Sequence, residues 1–123
     1  MGTILVVDDE PDMIRYLRIL LEEDEGHQVL GASDGGEALD VLRSADVDLV
    51  VLDLLMPHMD GFEFLREFRG AGDKRPVVVL TALSDSIGGA CERGATLAMA
   101  KPFDPDRLVE VIAKLLEANA SPA

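Results

Sequence analysis

Leu49-Val50-Val51-Leu52 is an uninterrupted apolar run that stops on a carboxylate, Asp53, and is followed by Pro57 and then Asp60-Gly61. A run this short, bounded by turn residues, suits a strand buried on both faces of a parallel sheet. Its last residue then emerges at the carboxyl edge of the sheet, where open α/β folds place their sites. The first apolar run ends the same way, Ile4-Leu5-Val6-Val7 leading into Asp8-Asp9-Glu10-Pro11. Packing alone gives little reason for two buried strands in one small domain to end on acids.

Three more runs, Val29–Ala32, Val77–Leu80 and Leu97–Ala100, read as strands. Helical patterns separate them. Met13, Ile14, Leu17, Leu20 and Leu21 recur at helical spacing, and Pro11 suits a first helical turn. Gly36–Ser44 and Gly61–Phe68 are the next helices, the latter closed by Gly70 and Gly72. In the last, Asp104 is a good N-cap, Pro105 suits the first position, and Leu108, Val109, Ile112, Leu115 and Leu116 form one apolar face. The segment Ser84–Gly94 is weaker, because Gly88-Gly89 lie inside it. Each interior glycine costs about 1 kcal/mol relative to alanine. The segment is therefore expected to be short, irregular or mobile, with an ordinary helix held by packing as the open alternative. Strict alternation implies an α/β fold: a doubly wound, parallel five-stranded sheet with helices on both faces and right-handed crossovers. The 123 residues fit one domain, expected over 1–118 with a frayed tail at 119–123.

Composition excludes several classes. The formal net charge of −13 opposes direct contact with nucleic acid or an anionic membrane. A single cysteine, Cys91, rules out an intramolecular disulfide and fits a reducing compartment. The start of the chain lacks a basic region and meets charge at Asp8, so it resembles neither a signal peptide nor a spanning helix. Val6 stands where a myristoylation motif at Gly2 needs Ser or Thr. A cytoplasmic protein is expected. His27 and His58 have no paired ligand spacing and read as surface residues, and Cys91 reads as a small packing residue. Arg66, Arg69, Lys74 and Arg75 cluster about one turn and read as a solvated face.

Four strand ends carry polar groups that converge on one edge in such a sheet: Asp8-Asp9, Asp53, Thr81 and Lys101. Two carboxylates about 4 Å apart repel by about 4 kcal/mol at an effective dielectric near 20. Three acids in one pocket therefore retain a proton or attract a hard cation, for which oxygen ligands with open water positions favour Mg²⁺ or Mn²⁺. Individually each residue has a plainer role: Asp8 and Asp9 as helix caps, Thr81 as a strand-end threonine, Lys101 as a solvated lysine. Together, Asp8-Asp9, Val51-Leu52-Asp53-Leu54-Leu55-Met56-Pro57 with Asp60-Gly61, Leu80-Thr81-Ala82 and Lys101-Pro102-Phe103 resemble the receiver domain of bacterial response regulators over nearly the whole chain and in the right order. The resemblance implies a flavodoxin-like (βα)5 fold with strand order 2-1-3-4-5. It further implies an Asp53 nucleophile that becomes an aspartyl phosphate, with Mg²⁺ on Asp9, Asp53 and the carbonyl of Leu55, and Asp8 acting through water. Lys101 would neutralise phosphoryl charge, and Thr81 would donate its hydroxyl to a phosphoryl oxygen. The implied function is a phosphorylation-activated switch of the single-domain, chemotaxis-regulator-like type. It would not act as an enzyme beyond its own phosphorylation and dephosphorylation. Its implied partners are a sensor histidine kinase or phosphotransfer protein and a downstream protein effector, and it is expected to be a monomer. Lys101-Pro102 is a candidate cis bond.

Departures from that family are specific. Ala98 stands where receivers often carry an aromatic residue that reports the movement of Thr81, and Thr96-Leu97 replaces a common acidic pair. Thr96, Ala98 and Ala100 would form a flat face able to accept a partner's side chain. Two residues after Asp53 and Thr81, where polar groups would position a hydrolytic water, stand Leu55 and Leu83, which favours a long-lived phosphate. Three other readings compete. A haloacid-dehalogenase-type phosphohydrolase needs an acid at Leu55. A flavodoxin-type carrier needs donors where Asp8-Asp9-Glu10 repel phosphate. A pseudo-receiver would bind protein partners without phosphorylation.

Overall fold

The computed structural model describes residues 2–23, 25–53, 61–82 and 94–120. In chain order these form β1 (Thr3–Val7), α1 (Pro11–Arg18) running on as a π-helical turn (Ile19–Glu23), β2 (Gln28–Ala32), α2 (Gly35–Ser44), β3 (Leu49–Asp53), α3 (Gly61–Gly70), β4 (Val77–Thr81), β5 (Leu97–Ala100) and α4 (Pro105–Ala120). The sheet has the order β2-β1-β3-β4-β5, and every neighbouring pair is parallel. The expected doubly wound topology is therefore present. The chain turns back on itself between β1 and β3, so the crevice at their carboxyl ends is the place for a site. Register lines those ends up: Val7 pairs with Leu52, Asp53 with Leu80, and Thr81 with Ala100.

All five residues of β3 and of β4 are buried, as unbroken apolar runs require when helices cover both faces. On one face Leu5, Val7, Val50, Leu52, Val77 and Val79 pack with α2 and α3. There Phe64 and Phe68 stack with ring centroids 5.5 Å apart. On the other face Ile4, Val6, Val51 and Leu80 meet Leu17 of α1 and Leu108, Ile112 and Leu116 of α4. Each such side chain contributes about 1.5–3 kcal/mol on burial. The helix starts follow local chemistry. Asp34 caps α2 by accepting the Glu37 N–H at 2.8 Å, and Asp104 accepts the Asp106 N–H at 3.0 Å ahead of α4.

Several side chains depart from the sequence expectation. Residue Glu10 is the N-cap of α1 and makes no side-chain cap bond. Asp8 accepts the Glu10 N–H at 2.9 Å instead, so neither Asp8 nor Asp9 is that helix's N-cap. His27 is buried rather than at the surface, its Nδ1 accepting the Gly2 N–H at 3.1 Å. Arg69 and Arg75 are half-buried rather than part of a solvated face. Arg69 donates to the carbonyls of Gly94, Asp73 and Arg75. Arg75 grips the Asp73 carboxylate at 2.6 Å and reaches the carbonyls of Val47 and Leu42. Both guanidinium groups lie over the Phe68 ring. Thr96 is occupied too, its hydroxyl accepting the Val77 N–H at 3.0 Å. Ala98 packs half-buried against the α2/α3 core, while Thr96 and Ala100, the other members of the expected flat face, are exposed. Leu55, Pro57, His58, Asp60, Leu83, Cys91 and the segment expected from Ser84, up to but excluding Gly94, lie outside the described residues.

Candidate functional site

Each strand end delivers one group. Asp8 follows β1, its backbone N–H donating to the Ala32 carbonyl at 3.0 Å, which pins it between β1 and β2. Asp53 is the last residue of β3 and Thr81 the last of β4, and both are buried along with Asp8. Lys101 follows β5, where its backbone N–H donates to the Thr81 carbonyl at 2.8 Å. The Lys101-Pro102 peptide that follows is cis, as its sequence context suggested. From there the lysine reaches across the end of β4. Its Nζ lies 3.3 Å from Asp8 Oδ2 and 3.5 Å from Asp53 Oδ2. One ammonium thus bridges two carboxylates whose side chains are only 4% and 8% exposed.

A second grouping sits beside it. Carboxylate oxygens of Asp8, Asp9 and Glu10 lie within 4.8 Å of one another, Asp8 buried and the other two exposed. At that spacing two unit charges repel by about 3 kcal/mol for an effective dielectric near 20, less where water screens them. An all-oxygen set of this kind suits a hard divalent cation such as Mg²⁺. The structure thus brings together Asp8, Asp9, Asp53, Thr81 and Lys101, and adds Glu10 to the acidic group. Glu10 belongs to the acidic triplet visible in sequence, but only the turn closed by the Asp8–Glu10 bond shows its carboxylate directed to the same place. Leu55, the remaining expected ligand, lies outside the described residues.

A family model described as the response regulator receiver domain matches residues 4–113. The chain belongs to the response-regulator receiver family. As a receiver domain it is a phosphorylation-activated switch of two-component signalling, and the family is not one of classical enzymes. The response regulator MprA of Mycobacterium tuberculosis (strain ATCC 25618 / H37Rv) is 41% identical over 116 residues, covering 92% of this chain and 50% of MprA. The receiver domain of Francisella response regulator 1452 superposes with a TM-score of 0.90 at 28% identity, covering 96% of this chain and 98% of that one. TrrA from Thermotoga maritima, solved in complex with Mg²⁺ and BeF, gives a TM-score of 0.85 at 36% identity, covering 94% of this receiver and 99% of TrrA. The chain spans half or less of the length of the curated relatives it matches. Among the described residues no helix is long and apolar enough to cross a membrane.

Proposed function

We propose that Asp53 is the phosphoryl acceptor of this receiver. The observation that carries the reading is the buried Asp53 carboxylate at the topological switch point, 3.5 Å from Lys101 Nζ and sharing that ammonium with Asp8. In the reaction an Asp53 oxygen attacks the donor's phosphorus, a P–O or P–N bond to the leaving group breaks, and an acyl phosphate remains. Lys101 can then pair with a phosphoryl oxygen. Thr81, fixed at the end of β4, offers a hydroxyl to another. Asp8, Asp9, Asp53 and the carbonyl of Leu55 would hold Mg²⁺, with Mn²⁺ as a substitute, and the ion when bound supplies charge neutralisation on the transferring group.

The same reading takes residues 1–118 as the signalling unit. A sensor histidine kinase or phosphotransfer protein is the donor, and the domain turns over no separate substrate. The net charge of −13 supports output through a protein effector rather than DNA, in the manner of single-domain chemotaxis-type regulators. A monomeric cytoplasmic protein completes the proposal.

Radiolabelled acetyl phosphate tests it. Label should enter in Mg²⁺, fail to enter in EDTA, and be released by hydroxylamine, which cleaves acyl phosphates but not phosphoesters. Label that resists hydroxylamine would overturn the reading.

A further inference from the structure

β2 forms one free edge of the sheet. An unpaired edge offers N–H and C=O groups to any extended chain, and natural proteins block such edges by specific devices. Here the outward groups can be assigned. Gln28 donates its N–H to the Gly2 carbonyl, and Ala32 accepts from the Asp8 N–H, so the even-numbered residues of β2 face β1. The odd-numbered Val29 and Gly31 therefore turn both N–H and C=O outward. At Val29 neither group is open to a partner. Glu22 accepts the Val29 N–H at 2.8 Å, and Arg18 Nη2 donates to the Val29 carbonyl at 3.4 Å.

We propose that Arg18 and Glu22 close this edge at Val29 by imitating a neighbouring strand, and that the position they close would otherwise pair with the same edge of a second copy of this chain. The choice of partner follows from geometry. A residue presenting a donor and an acceptor on one side is self-complementary. Across a two-fold axis, antiparallel Val29 residues would exchange both bonds. The device explains why the first helix does not end simply. It widens into the π-helical turn Ile19–Glu23, and that turn carries Glu22 to the strand while Leu21 stays fully buried. Such turns are rare and concentrate at constrained or functional places. The charge of −13 on each copy adds a long-range repulsion that salt weakens.

The test is the oligomeric state of Arg18→Ala/Glu22→Ala by sedimentation, over a concentration series at low and high salt. The double variant should dimerise where wild type stays monomeric, more strongly in high salt, and the dimer should protect the Val29 amide from hydrogen exchange. Glu22→Gln, whose amide oxygen can still accept the Val29 N–H, should remain monomeric. Glu22→Ala alone keeps the test decisive if the double variant does not fold. Its Val29 amide should exchange about tenfold faster than in wild type at low concentration, as expected for loss of a bond to a charged group. A folded double variant that is monomeric throughout, a dimer protected elsewhere than β2, or an unaltered Val29 amide in Glu22→Ala would each overturn the proposal.

Discussion

Replacing Lys101 with methionine should destabilise the metal-free domain far more than replacing any surface lysine. Methionine keeps the apolar stem and removes the charge. Lys101 Nζ stands 3.3 Å from Asp8 Oδ2 and 3.5 Å from Asp53 Oδ2, distances worth about 5 kcal/mol each at an effective dielectric near 20. Desolvation of the ammonium offsets part of that, and removing one partner of a buried pair costs about 3–5 kcal/mol in net terms. The lower figure applies here, because the lysine itself remains 16% exposed. About 3 kcal/mol corresponds to roughly a 10 °C fall in melting temperature for a domain of this size. Lys114 supplies the control. It lies closer to its partner, 3.0 Å from Glu110, but the two side chains are 73% and 59% exposed. Lys114→Met should leave the melting temperature unchanged, since exposed pairs gain little. Thermal unfolding in EDTA measures both, and repeating it in Mg²⁺ should shrink the Lys101→Met penalty by at least half as the ion replaces the lost cation. Equal melting temperatures for the two variants in EDTA would refute the reasoning.

Three further outcomes follow from the rest of the structure. Gly94 has φ +117°, and a Cβ there would lie 2.7 Å from Arg69 Cγ, so Gly94→Ala should cost about 1–3 kcal/mol in chemical denaturation, with Arg69→Ala relieving the clash but not the backbone strain. Hydrogen bonds from the Arg75 side chain hold the Asp73 carboxyl below the usual carboxylate range. The stability this confers is complete above the unfolded value of about 3.9 and lost as pH falls through the lowered folded value. Denaturation across that acid range should show a shallower decline for Arg75→Ala than for wild type. Burial lowers the His27 pKa below its usual 6.5, and protonation at Nδ1 would break the bond from the Gly2 N–H. Stability should therefore be full above that value and fall below it, and His27 should titrate low by NMR; an ordinary titration would contradict its burial.

What could be read from sequence was whatever repeats or punctuates. The strands announced themselves as apolar runs because both faces of β3 and β4 are covered, and the observed bounds differ from expectation by only a residue at an end. Asp53, Thr81 and Lys101 were legible because each stops such a run. Side-chain direction was not legible. Arg75 and Arg69 looked like charge on a turn, yet their guanidinium groups lie over the Phe68 ring and bind backbone carbonyls. His27 looked polar and solvated, but its ring is buried and its Nδ1 is the acceptor for the Gly2 N–H. The π-helical turn after α1 leaves no periodic mark, since five residues are too few to shift the apolar repeat. Glu10 was visible as an acid, but its place beside Asp8 and Asp9 depends on a turn rather than on spacing.

Intact mass after incubation with acetyl phosphate and Mg²⁺, comparing wild type with Asp53→Asn, tests the central claim most directly. Wild type should gain the mass of a single phosphoryl group, and Asp53→Asn, folded by circular dichroism, should gain none. A full adduct on the Asn variant would place the acceptor elsewhere and contradict the account.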